Sequence, residues 1–436
     1  RLHEDVVDDS IVLTGRYSLA ARRSYEKSGQ RYRYEKSLEN KKISSQYPSR
    51  SYGNRQQPEK KVKKAEGQNI FARSGRAVKK KFRIFSIRAG MDMPFFLLIM
   101  VILCIGLVML FSASYANAYY VYGDSYYFIK DQALFAVLGI VIMILVSYFD
   151  YHHLHKFAMP VLGVSFLLLV VVLFQPAINQ VHRWVQIGTF SFQASEVTKF
   201  AIVLSFAHLI SINFKRMDTF RYGILPYLII LVPTLLLLAA EPHISCIAIV
   251  VLLAAGMLFI GGVKLRWFVI ALSVIVGAIL YLVIFTDNFS YANDRILGWL
   301  DPFNEQIWQE TWQTRNSLYA IGSGGLLGLG LGNSRQKYLY LPEPQNDFIF
   351  AIVCEELGLI GALIIIILFA LLVWRGISIS LKAKDKFGCL LGIGLSAQVG
   401  LQVILNIAVV TNTIPNTGIS LPFFSYGGTS LVILLA

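Results

Sequence analysis

Apolar residues dominate the chain from Met93 onward and form ten runs, each close to the ~20 residues that cross a bilayer as a helix. Polar or charged connections separate these runs. The pattern predicts an all-α polytopic membrane protein with about ten transmembrane helices and one large extracytoplasmic loop between helices 7 and 8. The predicted spans are 94–113, 130–148, 157–174, 194–211, 223–240, 244–261, 267–286, 348–374, 388–410 and 418–436.

The charges in the connections predict the orientation of these spans. The short loops 114–128, 241–243 and 411–417 contain no Lys or Arg, whereas the alternate connections are basic. Since positively charged loops stay in the cytoplasm, the amino terminus is expected inside. Ten spans return the carboxyl end to the same side. We therefore expect a multi-pass protein of the cytoplasmic membrane with both termini cytoplasmic.

Composition supports the membrane class and separates off a tail. The chain is 55% hydrophobic and 15% charged, which excludes an ordinary soluble globular protein of this size. Residues 1–90 contain 23 Lys and Arg against 9 Asp and Glu, so they account for the whole net charge of +14. Residues 1–89 are predicted to be a disordered basic cytoplasmic tail, and residues 90–436 the transmembrane domain. The position of the basic clusters beside the first span favours anionic-lipid contact over nucleic-acid binding.

Two predicted outer loops contain basic residues, unlike the other outer loops, which lack Lys and Arg. The first, 175–193, carries Arg183 and Trp184, and the helix that follows it carries Glu196 and Lys199. The second, 287–346, is too long and too apolar for a simple connection, so we expect it to pack against the bundle. Its basic residues predict a positive lining suited to a phosphate or diphosphate group. They are Arg295, Arg315, Arg335 and Lys337.

The stretch 321–356 concentrates the candidate chemistry. Its glycines permit close backbone approach, and close packing is the simpler interpretation of them, because no nucleotide-binding glycine motif is present. Asp347 stands where the next apolar run begins, so it is a candidate for a catalytic carboxylate, for a helix N-cap, or for both roles together. Glu355 and Glu356 follow inside the span, where carboxylates normally face the bundle interior and have partners.

Several motifs, spread in order over the last two thirds of the chain, resemble the SEDS family (shape, elongation, division and sporulation), which includes FtsW, RodA and SpoVE. Two departures are Ala194, where the family usually has proline, and the long basic tail. The run 241–245 looks closer to FtsW and SpoVE than to RodA. The stretches that match the family are Arg183-Trp184, 192–196, 301–303, 317–326, 330–337, 340–343, Asp347-Phe348 and 418–430, the last of which reads GISLPFFSYGGTS.

This resemblance implies a peptidoglycan glycosyltransferase that polymerises lipid II, an undecaprenyl-diphosphate-linked disaccharide-pentapeptide, at the outer face of the membrane. Asp347 would be the catalytic base. The implied substrate-binding residues are Arg183, Trp184, Lys199, Arg335, Lys337, Glu343 and Tyr426, and the supporting residues are Glu196, Glu355, Glu356 and Ser425. The chemistry needs no obligatory cofactor or protein-bound metal, although a divalent cation could assist at the diphosphate. The implied partners are a cognate class B penicillin-binding protein and other division or sporulation membrane proteins. Nucleic acid is not expected as a partner.

Several of these residues also have simpler structural interpretations. Trp184 and Arg183 are also typical of a membrane-surface anchor, and Glu196 and Lys199 are spaced to pair with each other on one helix face. Arg335 and Lys337 could be ordinary loop charges. A transporter of a lipid-linked precursor, a flippase, is the alternative function, and a membrane scaffold is a third.

Overall fold

The computed structural model describes residues 91–175, 183–187, 190–241, 243–273 and 297–436, so the predicted tail lies outside the described residues. The described part is mostly helical. Its main helices are α1 (Met93–Tyr122), α2 (Tyr127–Ser147), α3 (His152–Leu173), α4 (Ala194–Asn213), α5 (Leu225–Ala240), α6 (Ile244–Ile260), α7 (Trp308–Gly324), α8 (Ile349–Ser380), α9 (Lys386–Val410) and α10 (Gly428–Leu435).

Seven of the helices in the described ranges are long and apolar enough to cross a membrane, and α6 is a shorter apolar helix of 17 residues. These eight overlap predicted spans, although α1 continues to Tyr122, beyond the predicted end at residue 113. The span predicted at 267–286 is helical up to residue 273, and its remainder lies outside the described residues. Large apolar side chains on the outer faces of these helices are exposed, as expected for side chains that contact lipid.

The span predicted at 418–436 is wrong in its first half. Residues 418–427 are not helical, and α10 begins only at Gly428. The reason lies in the local sequence, since Pro422 lacks an N–H and Gly418 and Phe423 have positive φ angles of 71° and 65°. The non-helical half packs next to the loop that carries Asp347, as described below.

Two hydrophobic clusters form the interior. One is built from α1, α2, α8, the end of α9 and α10, and it includes Leu110, Phe369 and Phe424. The other is built from α3, α4, α5, α6 and the start of α9, and it includes Phe206 and Tyr227. Because α9 contributes to both clusters, it joins the two halves of the bundle.

A two-stranded antiparallel hairpin interrupts the expected all-α pattern. Strands β1 (Trp184–Ile187) and β2 (Phe190–Gln193) pair with Trp184 opposite Gln193, and α4 begins directly after β2. Short alternating segments such as this one carry too weak a period to be separated from a loop by sequence alone. The hairpin fixes Arg183 and Trp184 just outside the start of α4.

The long loop packs back on the bundle in its described part, 297–346, as predicted. It contains α7, whose Ser317 Oγ donates a hydrogen bond of 2.8 Å to the carbonyl of Val410. Trp299 and Asn412 exchange two further hydrogen bonds of 3.1 and 3.0 Å. Arg315, expected to line a positive surface, is instead buried. It donates to the carbonyls of Pro302 and Asn304 and therefore stabilises the loop.

Helix α8 is broken at Gly358, whose φ of 67° and ψ of −171° are not helical. The glycine-rich stretch after α7 supplies the hydrogen bonds that the break removes. The N–H groups of Leu329 and Gly330 donate to the carbonyls of Glu355 and Glu356, at 2.9 and 3.0 Å. In return, the N–H groups of Leu359 and Ile360 donate to the carbonyls of residues 325 and 326. Irregular backbone inside a membrane protein is tolerated where protein satisfies it in this way.

Candidate functional site

Asp347 lies immediately before α8 and does not cap it. The residue at the N-cap position is Phe348, with no hydrogen bond from a side chain at this helix start. The capping interpretation of Asp347 is therefore wrong. The buried Asn406 of α9 fixes the Asp347 backbone instead, since its Nδ2 donates to the carbonyl of Asp347 at 2.7 Å and to that of Ile419 at 2.6 Å.

The Asp347 carboxylate faces the non-helical segment 418–427. A Cβ atom on Gly418 would lie 3.0 Å from Oδ2 of Asp347 and 4.0 Å from Oγ of Ser245, and Gly418 also has a positive φ. A side chain at position 418 would therefore cover the carboxylate. Ser245, at the start of α6, holds this segment by donating to the carbonyls of Thr417 and Gly418.

Ser425 and Tyr426 join the same segment to the loop before Asp347. Ser425 Oγ donates to the carbonyl of Asn346 at 2.6 Å and accepts from the N–H of Leu421. The N–H of Tyr426 donates to the carbonyl of Gln345 at 2.9 Å. These bonds occupy the Ser425 hydroxyl and the Tyr426 backbone, so both residues shape the Asp347 loop. The Tyr426 ring extends away toward Phe128 of α2.

Charges around Asp347 adjust its basicity. Burial and, to a smaller extent, the neighbouring Glu343 carboxylate raise the pKa of Asp347 to about 6, and the Arg183 guanidinium opposes both. Glu343 is exposed and accepts a hydrogen bond from Asn346 at 2.9 Å. A carboxylate with this pKa is mostly ionised at pH 7, yet it is a stronger base than an exposed aspartate. The structure thus brings Arg183, Glu343 and Asp347 into one electrostatic group.

Glu241 and His243 also belong to this group, although no pattern in the sequence assigns them a role. Glu241 follows α5, is fully buried, and neither of its carboxylate oxygens has a hydrogen-bond partner among the described residues. Burial raises the pKa of Glu241 to about 8 and lowers the pKa of His243 to about 3, and the positive charge of Arg183 acts on both. The sequence feature that could have identified Glu241 is a carboxylate between two apolar runs, in a loop without Lys or Arg.

Glu196 and Lys199 form the local ion pair that their spacing predicts. Lys199 Nζ lies 2.8 Å from Oε1 of Glu196, and both side chains are buried in α4. The positive charge of Lys199 also acts on His243. The pair is therefore close enough to His243 to act on it electrostatically, and its hydrogen bond is made within the protein.

The glycines make close backbone contacts, as their simpler interpretation predicts. A Cβ on Gly324 would lie 2.0 Å from the carbonyl oxygen of Cys354, and one on Gly328 would lie 2.2 Å from that of Glu356. No side chain fits in either gap. These contacts are the reason that the stretch after α7 can bind across the break in α8.

Glu355 and Glu356 are buried and have partners, also as predicted. Glu355 accepts hydrogen bonds from the Ser334 hydroxyl and from the N–H of Arg335 at 3.0 Å. Glu356 accepts from Ser112 of α1 at 2.7 Å and pairs with Lys337 at 3.0 Å. The two carboxylates therefore connect α1, α8 and the loop.

The two basic residues of this loop lie in different environments. Lys337 is buried, and its Nζ donates to Glu356, to Ser112 and to the carbonyl of Gly332. This burial departs from the expectation that Lys337 lines a surface for a diphosphate, because its hydrogen bonds are made inside the protein. Arg335 is exposed. The prediction of a cationic contact now rests on Arg335 together with Arg183.

Among the described residues, no group of three or more His, Cys, Asp or Glu side chains is arranged to hold a metal ion.

Comparisons with known proteins agree with the arrangement of helices and loops. The family model described as cell cycle protein, which groups FtsW, RodA and SpoVE, matches residues 92–436. Stage V sporulation protein E of Bacillus subtilis is 40% identical over 352 residues, which cover 79% of this chain and 94% of that protein. The probable peptidoglycan glycosyltransferase FtsW of Geobacter sulfurreducens is 37% identical over 349 residues, with 79% and 92% covered.

Solved structures share the fold. A chain of a peptidoglycan synthase complex, described for the structural coordination of polymerization and crosslinking, aligns with a TM-score of 0.65 at 24% identity, covering 79% of this chain and 94% of that one. The rod shape determining protein RodA of Thermus thermophilus aligns with a TM-score of 0.57 at 24% identity, covering 79% and 93%. With a family match over most of its length and relatives of this identity, the chain belongs to the FtsW, RodA and SpoVE family of cell cycle proteins.

Proposed function

We propose that this protein is a peptidoglycan glycosyltransferase that polymerises lipid II into glycan strands during division or sporulation. The observation that carries the proposal is the environment of Asp347. Its carboxylate is partly buried beside Gly418, takes no part in capping α8 and has a pKa of about 6. The names of the relatives, SpoVE and probable peptidoglycan glycosyltransferase FtsW, support the same reaction.

In the proposed reaction Asp347 acts as general base. It takes the proton from a hydroxyl of the acceptor sugar while that oxygen attacks the anomeric carbon of the donor sugar. The new glycosidic bond forms as the bond from the anomeric carbon to the diphosphate breaks, and the undecaprenyl diphosphate leaves with the bonding electrons. Arg183 and the exposed Arg335 are the cations that would stabilise the leaving diphosphate, and Trp184 beside Arg183 would contact a sugar ring.

The site is proposed to open on the outer face of the cytoplasmic membrane, with both termini in the cytoplasm. The support is the distribution of charge, since basic connections alternate with loops that lack Lys and Arg. At the predicted inner end of the bundle, Asp92 before α1 pairs with Arg375 of α8 at 2.8 Å. Asp347 lies at the opposite end of α8.

A cognate class B penicillin-binding protein is the proposed partner, beside other division or sporulation membrane proteins. Glycan polymerisation and peptide crosslinking act on the same polymer, so a polymerase of this kind gains from a transpeptidase held next to it. The related chain in the peptidoglycan synthase complex supports such an assembly.

The test is polymerisation of lipid II by purified protein. Asp347→Asn keeps the size of the side chain but cannot accept the proton, so we expect binding of lipid II to persist while glycan synthesis falls by about 10²–10⁴. Asp218→Asn, an exposed aspartate that pairs with Lys264 at 3.3 Å, is the matched control and should retain activity.

Two results would contradict the proposal. Near-normal synthesis by folded Asp347→Asn protein would remove Asp347 from the reaction. Movement of lipid II across the bilayer without polymer, in the unaltered protein with its partner, would favour the flippase alternative.

A further inference from the structure

A cavity of about 470 Å³ lies between the end of α4 and the start of α9. Such a volume falls within the range of about 300–1,000 Å³ that is typical of ligand pockets. Helix α9 begins at Lys386, and its Asn406 holds the Asp347 backbone, so a rise of 1.5 Å per residue places the cavity about 30 Å from Asp347. The cavity therefore lies at the opposite end of the bundle from the candidate site.

The lining of this cavity, here named the basic cavity, carries three cations. They are Lys215, Arg216 and Lys386, and no acidic side chain is among the described residues that line it. All three are exposed, and none of them forms an ion pair with another described residue. An anion in the cavity would therefore meet three positive charges that the protein leaves unpaired.

The acidic residues next to the cavity in the sequence have partners of their own. Asp218 pairs with Lys264 at 3.3 Å. Asp385 accepts hydrogen bonds from the N–H of Gly388 at 2.8 Å and from the hydroxyl of Tyr151 at 2.5 Å, so it caps the start of α9. Neither carboxylate neutralises the basic cavity.

Other side chains of the lining add order and a further donor. The ammonium of Lys386 lies 3.1 Å from the centroid of the Phe214 ring, a cation–π contact that holds it at the cavity. The Nδ2 of Asn213 donates to the carbonyl of Leu209 at 3.2 Å, and its second N–H can donate to a ligand. Ammonium, guanidinium and amide N–H groups are the donors that bind phosphate oxygens.

Apolar side chains surround the same opening. Ile212 also lines the cavity and is 60% exposed, and Phe214 is 39% exposed. Both belong to the last turns of a helical segment, Ala194–Arg216, that is long and apolar enough to cross a membrane. The cavity thus lies where a membrane helix meets the head groups, with apolar and cationic contacts side by side. A free phosphate ion would use only the cations, whereas a phospholipid would use both.

Basic residues at one end of a membrane protein are also the ordinary signal for its orientation. That signal depends on charge alone and needs no cavity. Lys382 and Lys384 illustrate it, since both are exposed on the connection before α9 and neither lines the basic cavity. Three unpaired cations, an amide and an aromatic ring that converge on one opening need a further explanation.

We propose that the basic cavity binds the head group of an anionic phospholipid such as phosphatidylglycerol. Its three cations contact the phosphate oxygens, and Ile212 and Phe214 contact the first carbons of an acyl chain. The occupant is a lipid of the surrounding membrane and not the reacting substrate, because the cavity is about 30 Å from Asp347. The inference goes beyond the proposed reaction and does not depend on it.

The experiment counts bound lipid. Purified full-length protein in detergent is titrated with phosphatidylglycerol or with the zwitterionic phosphatidylcholine, and the complexes are measured by native mass spectrometry. The cavity variant carries Lys215→Gln and Lys386→Gln. The control variant carries Lys382→Gln and Lys384→Gln, which remove the same charge beside the cavity. The basic tail is present in all three proteins and contributes equally to each.

We expect the cavity variant to bind phosphatidylglycerol about tenfold more weakly than the unaltered protein, and the control variant to bind it as the unaltered protein does. Phosphatidylcholine should bind all three proteins with the same, weaker affinity, because it carries no net charge. Inorganic phosphate at the same concentration should not displace the lipid, because it lacks the acyl chains.

Several outcomes would overturn the inference. Equal affinity of the cavity variant and the unaltered protein for phosphatidylglycerol would show that the cavity does not bind it. Equal losses in the cavity and control variants would show that surface charge alone attracts the lipid. Displacement by inorganic phosphate would assign the cavity to a soluble phosphate. Binding of a polyglutamate peptide that is lost in the cavity variant, with lipid binding unchanged, would assign it to an acidic protein segment.

Discussion

The acidic residues near the site differ in protonation because their surroundings differ. Asp347 is partly buried and has Arg183 nearby, so its pKa of about 6 leaves it ionised at pH 7. Glu241 is fully buried, and its pKa of about 8 keeps it mostly protonated at the same pH. One carboxylate is therefore available as a base and the other acts as a neutral group in the wall.

A stability measurement tests the state of Glu241. Its folded pKa of about 8 lies above the ordinary value of 4.5, so the folded protein holds a proton that the unfolded chain loses. The stability contributed by this proton is complete below about pH 4.5 and is lost as pH rises through about 8. Glu241→Gln is always neutral, so its thermal unfolding temperature in detergent should exceed that of the unaltered protein by a margin that grows from pH 5 to pH 8. A constant difference would show that Glu241 is ionised in the fold.

Individual site residues could be predicted to different degrees. Asp347 could be singled out because the SEDS-like motif around it is specific, and its catalytic role stays a prediction. Arg335 and Lys337 could not be separated, because the sequence does not show that Lys337 is buried against Glu356 while Arg335 stays exposed. Glu241 was missed because burial, and not residue type, makes it unusual.

At the scale of elements, α8 and the glycine-rich stretch form one unit. The break at Gly358 leaves backbone groups of α8 without helical partners, and the stretch after α7 provides those partners. The spans were predictable because a run of about 20 apolar residues is a strong pattern. The break was not, because a single glycine in an apolar run is compatible with a continuous helix.

The contact between these elements predicts opposite effects for two glycine substitutions. Gly328→Ala places a Cβ 2.2 Å from the carbonyl oxygen of Glu356 and requires a φ of 80° from alanine. We expect a loss of at least about 1–3 kcal/mol in the free energy of unfolding. Gly322 is the control, because it lies in α7 with no atom near its Cβ position. Alanine at position 322 should be neutral or stabilise α7 by up to ~1 kcal/mol.

Thermal unfolding in detergent measures both variants. An unchanged melting temperature for Gly328→Ala would show that the stretch can move away from α8 at no cost. A loss in both variants would point to a general intolerance of α7 and its loop.

For the whole molecule, the site draws on distant parts of the sequence. Arg183 precedes β1, Glu241 and Ser245 flank the start of α6, Asp347 precedes α8, and Gly418 follows α9. All of these residues lie within 92–436, the range that the family model matches. The charge pattern predicts that all of these residues lie at the same end of the bundle. Only the packing of the helices shows that they are close to one another.

This distribution leads to a prediction for the basic tail. Since every residue assigned to the reaction lies after position 91, a variant without residues 1–89 should polymerise lipid II nearly as well as the full chain. The measurement is glycan synthesis by the purified complex with its class B penicillin-binding protein, at matched protein concentration. A loss of more than about tenfold would make the tail part of the active unit.

The hydrogen bonds across the break in α8 also restrict which parts of the protein can move. Separating the glycine-rich stretch from α8 would expose four N–H groups and four carbonyls, each at a cost of several kcal/mol where no water can replace the partner. The stretch therefore cannot act as a lid, in spite of its many glycines. Rearrangement has to occur in elements held by fewer backbone bonds, so the stretch and α8 are expected to move as one rigid unit.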